Sequence, residues 1–513
     1  MSLAIVSSQA LLGFQLVPVR VEVHVAPGLP VFHIVGLPNV GVKESRERVR
    51  SAILNSGYKF PVGRVTVNLA PADLPKNAGH FDLPIALGVL LASGQLPWRL
   101  LPKPSCLARY IFAGELSLTG AVMPVHNALV LALGLARKMP QAILVLPQES
   151  AAMAAQVQRL KVLAANTLNE VVQHLMGQHR LLAPLPLLTP TVASADSLKP
   201  CLSEVVGQRI AKRVLEIAAS GGHNVLLVGP PGCGKSMLAQ CFGGLLPTLS
   251  QNQMLEVAAI QALAFPHRPP ILTDQPPFRA PHHNISVSAL IGGGRLAGPG
   301  EISLAHSGVL FLDELPEFSA ASLEALRQPL QTGEITVARS QRSVAYPARF
   351  QLIAAMNPCP CGWAGHEEQG CRCTPDQVKR YQNRLSGPLL DRIDLCITMT
   401  QEKISLIAHE PVVNETSASV QSRIITCRRI QQQRQQTLNA YLSPGERREH
   451  CRLEGETLHY FEQVGVQLSW SPRVQHKIIC VARTLADMQA SPNITKAHLS
   501  EAIAYRQTVH SGV

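Results

Sequence analysis

Apolar and polar residues alternate with a period of two along Val17-Pro-Val-Arg-Val-Glu-Val-His-Val25. This is the pattern of a half-buried β-strand, whose successive side chains point to opposite faces. Met1-Ser-Leu-Ala-Ile-Val-Ser-Ser8 reads as a first strand and Val65–Leu69 as another. Val42–Leu54 predicts a helix that is charged at its start, and Asp82–Ala92, apolar nearly all round, predicts a buried one. Ile111–Leu118 predicts a strand that turns at Thr119-Gly120, followed by a helix over Asn127–Lys138, a strand at Ala142–Leu146 and a helix over Leu168–Met176. The mixture describes an α+β domain over residues 1–182. Residues 183–200, rich in proline and small side chains, suit an interdomain linker. A second domain over 201–397 carries apolar strands at Val225–Val228, Val309–Leu312 and Phe350–Met356, a helix at Leu326–Leu330 and a basic hairpin from Thr336 to Tyr346. Residues 398–513 show helical patterns near 420–442, 453–464, 471–489 and 495–507. The chain therefore reads as a multidomain α/β protein with a helical C-terminal domain.

Composition changes this picture in three ways. At 513 residues each domain is long enough to bury its own core, and with 4% aromatic residues those cores are aliphatic. The 46 Lys and Arg against 34 Asp and Glu leave a formal charge of +12, which favours a polyanionic partner, of which nucleic acid is the commonest. Basic residues spread over a solvated surface would give the same sum. No basic region precedes the apolar residues at the N-terminus, and the longest membrane-like stretch, Ala128–Ala136, falls far short of the ~20 residues a span needs. The expectation is a soluble, cytoplasmic protein whose twelve cysteines are reduced thiols.

Chemistry concentrates after the strand Val225–Val228. There Gly229, Pro230, Pro231, Gly232, Cys233, Gly234, Lys235 and Ser236 match GxxxxGK[ST], and the helical pattern of Met237–Leu246 follows. Strand, glycine-rich turn and helix in that order make a P-loop. Its backbone N–H groups and the helix N-terminus face phosphate oxygens, Lys235 reaches the β- and γ-phosphates, and Ser236 puts its hydroxyl on Mg²⁺. ATP and Mg²⁺ are the expected cofactors. Gly36-Leu-Pro-Asn-Val-Gly41 looks similar but is followed by Val42-Lys43, so it lacks the Gly-Lys pair and reads as a plain loop.

Downstream, Val309–Leu312 ends in Asp313 and Glu314. In P-loop ATPases such an Asp holds Mg²⁺ through water and the Glu polarises the attacking water. Phe350–Met356 ends on Asn357, and this order resembles the AAA+ family, in which an Asn at that place is sensor 1. Ser386-Gly-Pro-Leu-Leu-Asp-Arg-Ile-Asp394 resembles the AAA+ arginine-finger segment, which implies that Arg392 faces the nucleotide of the next subunit; Arg384 is the alternative in the same stretch. Ser471-Pro-Arg473 resembles sensor 2. A guanidinium fork suits the charge spread over a γ-phosphate in its transition state, whereas an arginine in a surface salt bridge would show the same spacing.

Arg279-Ala-Pro-His-His283, Leu290-Ile-Gly-Gly-Gly294 and Gly298-Pro-Gly-Glu301, followed by the basic hairpin, resemble the magnesium-chelatase and MCM-helicase branch of AAA+ proteins. No matched ligands flank His282 and His283, which read as loop histidines. Adding Gly36-Leu-Pro-Asn39, Asn68-Leu-Ala-Pro-Ala-Asp-Leu-Pro-Lys76 and Phe81-Asp-Leu-Pro-Ile-Ala-Leu-Gly88 extends the resemblance over nearly the whole chain, to the ComM/YifB family of magnesium-chelatase-like proteins. That resemblance implies a homo-hexameric, ATP-driven DNA helicase or translocase promoting branch migration in natural transformation and recombination. A protein-remodelling or chelatase-like motor is the alternative, and a scaffold that only binds nucleotide is a third. The first domain resembles the Lon peptidase. Laid against the Lon nucleophile and base, the sequence places Phe81 at the Ser position and Leu129 at the Lys position, which implies no proteolysis.

Two further groups stand out. Arg423, Arg428, Arg429 and Arg434 lie in an acid-free stretch, Val420–Leu438, and either contact DNA phosphates or form a solvated helix face. Cys359, Cys361, Cys371 and Cys373 form a C-x-C-x9-C-x-C cluster directly after Asn357. They have the number and type of ligand that tetrahedral Zn²⁺ takes, with free thiols as the alternative.

Overall fold

The structure, a computed structural model, describes residues 3–36, 40–72, 79–96, 107–185, 200–266, 268, 270–294, 297–339, 342–366, 369–401 and 414–507. Most of the linker over 183–200, the Leu37-Pro-Asn39 part of one motif, Lys76 and the turn of the basic hairpin at 340–341 lie outside the described residues. Two compact units emerge: Met1–Thr191 with Gln251–Leu272, and Val192–Ser250 with Thr273–Val513. Among the described residues no helix is long and apolar enough to cross a membrane.

In the first unit, β1 (Leu3–Leu12), β2 (Gln15–Ala26), β3 (Val31–Val35) and β4 (Arg64–Ala70) form one sheet in the order β1-β2-β4-β3. The period-two pattern holds in β2: Val19, Val21 and Val23 are buried, while Arg20 and His24 are exposed. Helix Asp82–Ala92 has all of its residues buried, as its all-round apolar pattern predicts. Gly36 packs against β4, where a Cβ would stand 2.3 Å from the Leu69 carbonyl oxygen, so this glycine answers to close backbone packing.

The run Ile111–Leu118 is not one strand. It divides into β5 (Tyr110–Phe112) and β6 (Glu115–Leu116), which pairs with β7 (Val122–Met123). The cause is Gly114, whose N–H donates to the His80 carbonyl and whose carbonyl accepts from Leu83, so its backbone serves the entry to the buried helix instead of a ladder. β5, β8 (Ile143–Pro147) and β9 (Lys161–Ala165) make a parallel sheet, with helix Gln148–Ala154 crossing between the last two. Phe81 and Leu129, at the positions aligned with the peptidase dyad, are buried in aliphatic clusters. Helix Gln251–Ala264 also belongs to this unit, with Leu255, Ala258 and Ala259 buried beside Leu129 and Ala132.

The second unit holds β10 (Val225–Val228), β11 (Phe278–Arg279), the short pair β12 (Gly292–Gly293) and β13 (Gly298–Pro299), and β14 (Val309–Leu312). The hairpin β15 (Glu334–Arg339) and β16 (Arg342–Pro347), then β17 (Gln351–Met356) and β18 (Leu395–Thr398), complete its strands. Five of them form an all-parallel sheet in the order β11-β14-β17-β10-β18. Its continuous apolar strands are what burial on both faces requires. The C-terminal helices Ser417–Gln435, Gly455–Gln467, Pro472–Met488 and Lys496–Gln507 follow the helical patterns of the sequence. Ile424, Ile478 and Leu485 share one core with Val225, Leu227, Ile353 and Leu395, so the helical region and the sheet are packed as one body.

Among the described residues, a buried ion pair sits inside the first unit. Asp82 is fully buried, accepting from Arg48 Nε at 2.7 Å and from the Leu116 N–H at 3.2 Å. Burial pushes its carboxyl above the usual carboxylate range, and Arg48 opposes that shift. Removing one partner leaves the other charge buried alone. Arg48→Met is therefore expected to lower the unfolding free energy of this unit by about 3 kcal/mol in denaturant titrations. An unchanged midpoint would show that the pair does not hold the helix entry.

Candidate nucleotide site

Because β14, β17 and β10 are neighbours and run in parallel, their C-terminal ends lie side by side. The Gly229 N–H donates to the Met356 carbonyl across two of those ends at 3.1 Å. The P-loop leaves β10 there, Asp313 and Glu314 leave β14, and Asn357 leaves β17. Lys235 Nζ donates to the carbonyls of Gly229 (2.7 Å) and Pro230 (2.8 Å) and to Asn357 Oδ1 (3.1 Å). Ser236 Oγ donates to Asp313 Oδ2 at 2.6 Å. Gly232 and Gly234 have φ of +78° and +91°, the left-handed region that lets successive N–H groups turn inward, and no atom lies within 4 Å of where a Cβ would stand. Helix Lys235–Leu245 begins at the loop and adds the positive end of its dipole.

This donor set fits a nucleoside triphosphate with magnesium. Lys235 is held on neutral oxygens that a phosphate would outcompete, and Ser236 with Asp313 offers two oxygens of the hard kind that magnesium takes.

Glu314 has φ of +52°, and its Oε2 lies 3.1 Å from His283 Nδ1. β11 runs beside β14, so the segment following one strand arrives next to the residues following the other. The sequence placed His283 in a plain loop; in the structure it holds the acid expected to act on water. No residue type or spacing announces that contact, which arises from strand order alone. Arg279, at the end of β11, forks onto both carboxylate oxygens of Glu301 at 2.6 and 2.7 Å and ties that segment down.

Arg392 and Arg473 come together elsewhere. Asn224 and Asp394 immediately precede β10 and β18, and they join through the Asn224 N–H at 2.8 Å, while Asn224 Nδ2 donates to the Arg392 carbonyl at 3.0 Å. Arg392 thus stands at the N-terminal ends of the strands, about 10 Å or more of strand away from the P-loop. Its guanidinium donates to the carbonyls of Arg327 (3.0 Å) and Pro388 (2.6 Å) and to Gln331 Oε1 (2.6 Å). Burial, and then the like charges of Arg327 and Arg473, hold it below the ordinary arginine range. A cavity of about 410 Å³ opens here, lined by Arg349, Arg392, Arg447, Arg473 and Lys477 among others. Arg384 instead pairs with Glu317 at 2.8 Å.

The acid-free helix is mostly structural. Arg423 binds Glu216 (2.6 Å) and Glu415 (2.8 Å), Arg434 grips both oxygens of Asp487 (2.6 and 2.9 Å), and Arg428 donates to the Ala219 carbonyl at 2.7 Å. Only Arg429 of the four is exposed without such an anchor in view. Of the two readings of this stretch, a phosphate-contacting face and a solvated face, neither describes three of its arginines: Arg423, Arg428 and Arg434 are engaged by acids or carbonyls, with Glu216, Ala219 and Asp487 coming from distant segments.

Three family comparisons agree with this geometry. Residues 201–407 match magnesium chelatase, subunit ChlI; residues 21–150 match subunit ChlI of Mg-chelatase; residues 414–506 match the ChlI C-terminal family. YifB of Escherichia coli is 46% identical over 507 residues, covering 99% of this chain and 97% of its own length. The competence protein ComM of Haemophilus influenzae is 44% identical over 511 residues, covering 99% and 98%. The magnesium-chelatase 38 kDa subunit of Cereibacter sphaeroides is 27% identical over 173 residues, 30% of this chain and 52% of its own.

Glu314→Gln is expected to keep affinity for a fluorescent ATP analogue while turnover falls by about 100-fold or more, the usual worth of a positioned base. Lys235→Ala should lose the binding itself. Near-normal turnover in the Glu314 variant would place the catalytic carboxylate elsewhere.

Proposed function

From its membership of the ComM/YifB family of magnesium-chelatase-like AAA+ ATPases, to which the chain belongs, we propose that this protein is a homo-hexameric motor that uses ATP hydrolysis to translocate on DNA. Its substrate is single-stranded or branched DNA, and its setting is branch migration during natural transformation and recombination. Supporting the DNA assignment are the +12 charge and the competence name of a relative that matches over 98% of its length. The magnesium-chelatase families match residues 21–150, 201–407 and 414–506, so a chelatase-like motor is the second reading; the 38 kDa chelatase subunit itself aligns with 30% of the chain, against 99% for the competence protein.

The observation that carries the ring is the separation of Arg392 and Arg473 from Lys235 by the length of the sheet. Within one chain these arginines stand at the wrong end of the strands to meet the phosphates that Lys235 holds. In a closed ring, one copy's arginine end meets the next copy's phosphate end, and each site takes residues from two chains. The P-loop N–H groups and Lys235 would bind the phosphates, and Ser236 and Asp313 would hold magnesium. That ion, when bound, supplies neutralisation of phosphate charge. Glu314, oriented by His283, draws the proton of the attacking water, and Asn357 orients that water. Arg392 and Arg473 of the neighbour stabilise the charge that grows on the transferred group.

Mixing Arg392→Ala with Lys235→Ala protein should restore part of the ATPase activity that each lacks alone, since some interfaces then pair an intact loop with an intact arginine. A mixture that stays inactive at every ratio, with assembly confirmed, would overturn the shared site. Forked or four-way DNA should stimulate the wild-type ATPase several-fold; no stimulation by any DNA form would favour the protein-directed reading.

A further inference from the structure

Between Asn357 and Thr374 the chain forms neither helix nor strand among its described residues, and its one large apolar side chain is Trp363. Irregular segments this long are uncommon inside compact domains and need a source of order other than apolar burial. Here the cysteines converge. The Sγ atoms of Cys359 and Cys361 lie 3.4 Å apart, those of Cys359 and Cys371 3.7 Å, and those of Cys361 and Cys371 3.6 Å. With Cys373 included, all four sulfurs fall within 4.8 Å of one another.

A tetrahedral zinc with Zn–S bonds of about 2.3 Å sets its sulfurs about 3.8 Å apart, whereas a disulfide brings two of them to about 2.0 Å. The separations among Cys359, Cys361 and Cys371, 3.4 to 3.7 Å, approach that spacing and lie far from a disulfide's. Each C-x-C pair supplies two sulfurs from one end of the segment, so a single ion would close the loop between residues 361 and 371. Backbone N–H groups support the sulfurs: Ala364 donates to Cys359 Sγ at 3.3 Å and Cys373 to Cys371 Sγ at 3.4 Å, as thiolates bound to a cation commonly receive.

The position of the cluster gives it a task. Gly362 lies so close to the P-loop that a Cβ on it would stand 2.6 Å from Pro231 Cδ and 2.8 Å from Pro231 Cγ. Cys359, fully buried, follows two residues after Asn357, whose amide oxygen accepts from Lys235 Nζ. On the far side, Gln382 Nε2 donates to the Pro358 carbonyl at 3.1 Å. We propose that Cys359, Cys361, Cys371 and Cys373 bind one structural zinc ion, and that this closed loop is the wall against which Pro231 and Asn357 are held. Four thiolates leave the ion no open position, so it supports the neighbouring site without acting on substrate. The metal stands on the cysteine geometry alone; its task as a wall rests on the nucleotide reading of Gly229–Ser236.

The test begins with protein purified without chelator from zinc-replete medium, and elemental analysis should find about one zinc per chain. Cys361→Ser with Cys371→Ser, chosen because both side chains are at least partly exposed, should bring that to near zero. Should the double variant fail to fold, cobalt substitution of the wild-type protein replaces it. A tetrathiolate site gives intense thiolate-to-cobalt charge transfer and tetrahedral d–d bands. No zinc, iron in its place, or a weak octahedral cobalt spectrum would overturn the site. Stripping zinc from the wild-type protein should lower its melting temperature and weaken binding of a fluorescent ATP analogue several-fold, reversed on adding zinc back. Unchanged affinity after stripping would overturn the wall, while zinc-loaded protein that binds no nucleotide would be a failure of the P-loop reading instead.

Discussion

The hydroxyl of Ser236 meets the carboxylate of Asp313 at 2.6 Å across 77 residues of chain. Neither residue could reach the other if β10 and β14 did not flank β17 in parallel. Each strand is only four to six residues long, so turning any one of them round would carry its chemistry to the other edge of the sheet. Parallel order therefore does more than hold a core. It gathers the glycine loop, the acidic pair and the polar Asn357 on one edge, where a lysine, a hydroxyl and two carboxylates can converge on one ligand. Strand β11 extends the same logic by bringing His283 to Glu314.

The same constraint explains why the unit's arginines fall into two kinds. Arg423 and Arg434 end on carboxylates, so their charge is spent inside the fold. Arg392 is held by two carbonyls and an amide, which fix the direction of the guanidinium and leave its charge uncompensated by those bonds. A cation in that state, crowded by Arg327 and Arg473, is stabilised by an arriving anion more than a paired one would be. Partner type separates Arg392 from Arg423 and Arg434; Arg428, likewise held by a carbonyl, differs from it in not lining the cavity that Arg392 shares with Arg473. Exposure alone would not make these distinctions, since Arg423 is itself nearly half exposed.

Most of this architecture was legible in the chain because it rests on local pattern. The period of two in β2, the all-round apolar helix Asp82–Ala92 and the strand-loop-helix of the P-loop all carry their cause within a short window. Features that depend on distant partners were not legible. The stretch Val420–Leu438 has no acid, yet Glu216 and Asp487 arrive from 207 and 53 residues away to neutralise its arginines. The break at Gly114 came from the carbonyl of His80 and the amide of Leu83, which no alternation of apolar residues encodes. The contact between His283 and Glu314 depends on which strands are neighbours, and strand order is not written in any single segment.

Helix Gln251–Ala264 presents the same difficulty at the level of whole units. In sequence it lies between the P-loop helix and β11, inside the motor, but its apolar residues complete a core that begins with Leu16 and Leu129. The chain consequently passes between the two units at three places, near residues 191, 250 and 272. Division at the proline-rich segment would not yield two intact bodies. The first would lose Leu255, Ala258 and Ala259 from its interior, and the second would carry them with no core to enter. Apolar area left in water at both places opposes such a separation, so the chain between the P-loop helix and β11 contributes to the core of the first unit. Phe81 and Leu129, set against the peptidase dyad by resemblance, thus stand in a unit whose core is completed by a helix lying in sequence between the P-loop helix and β11.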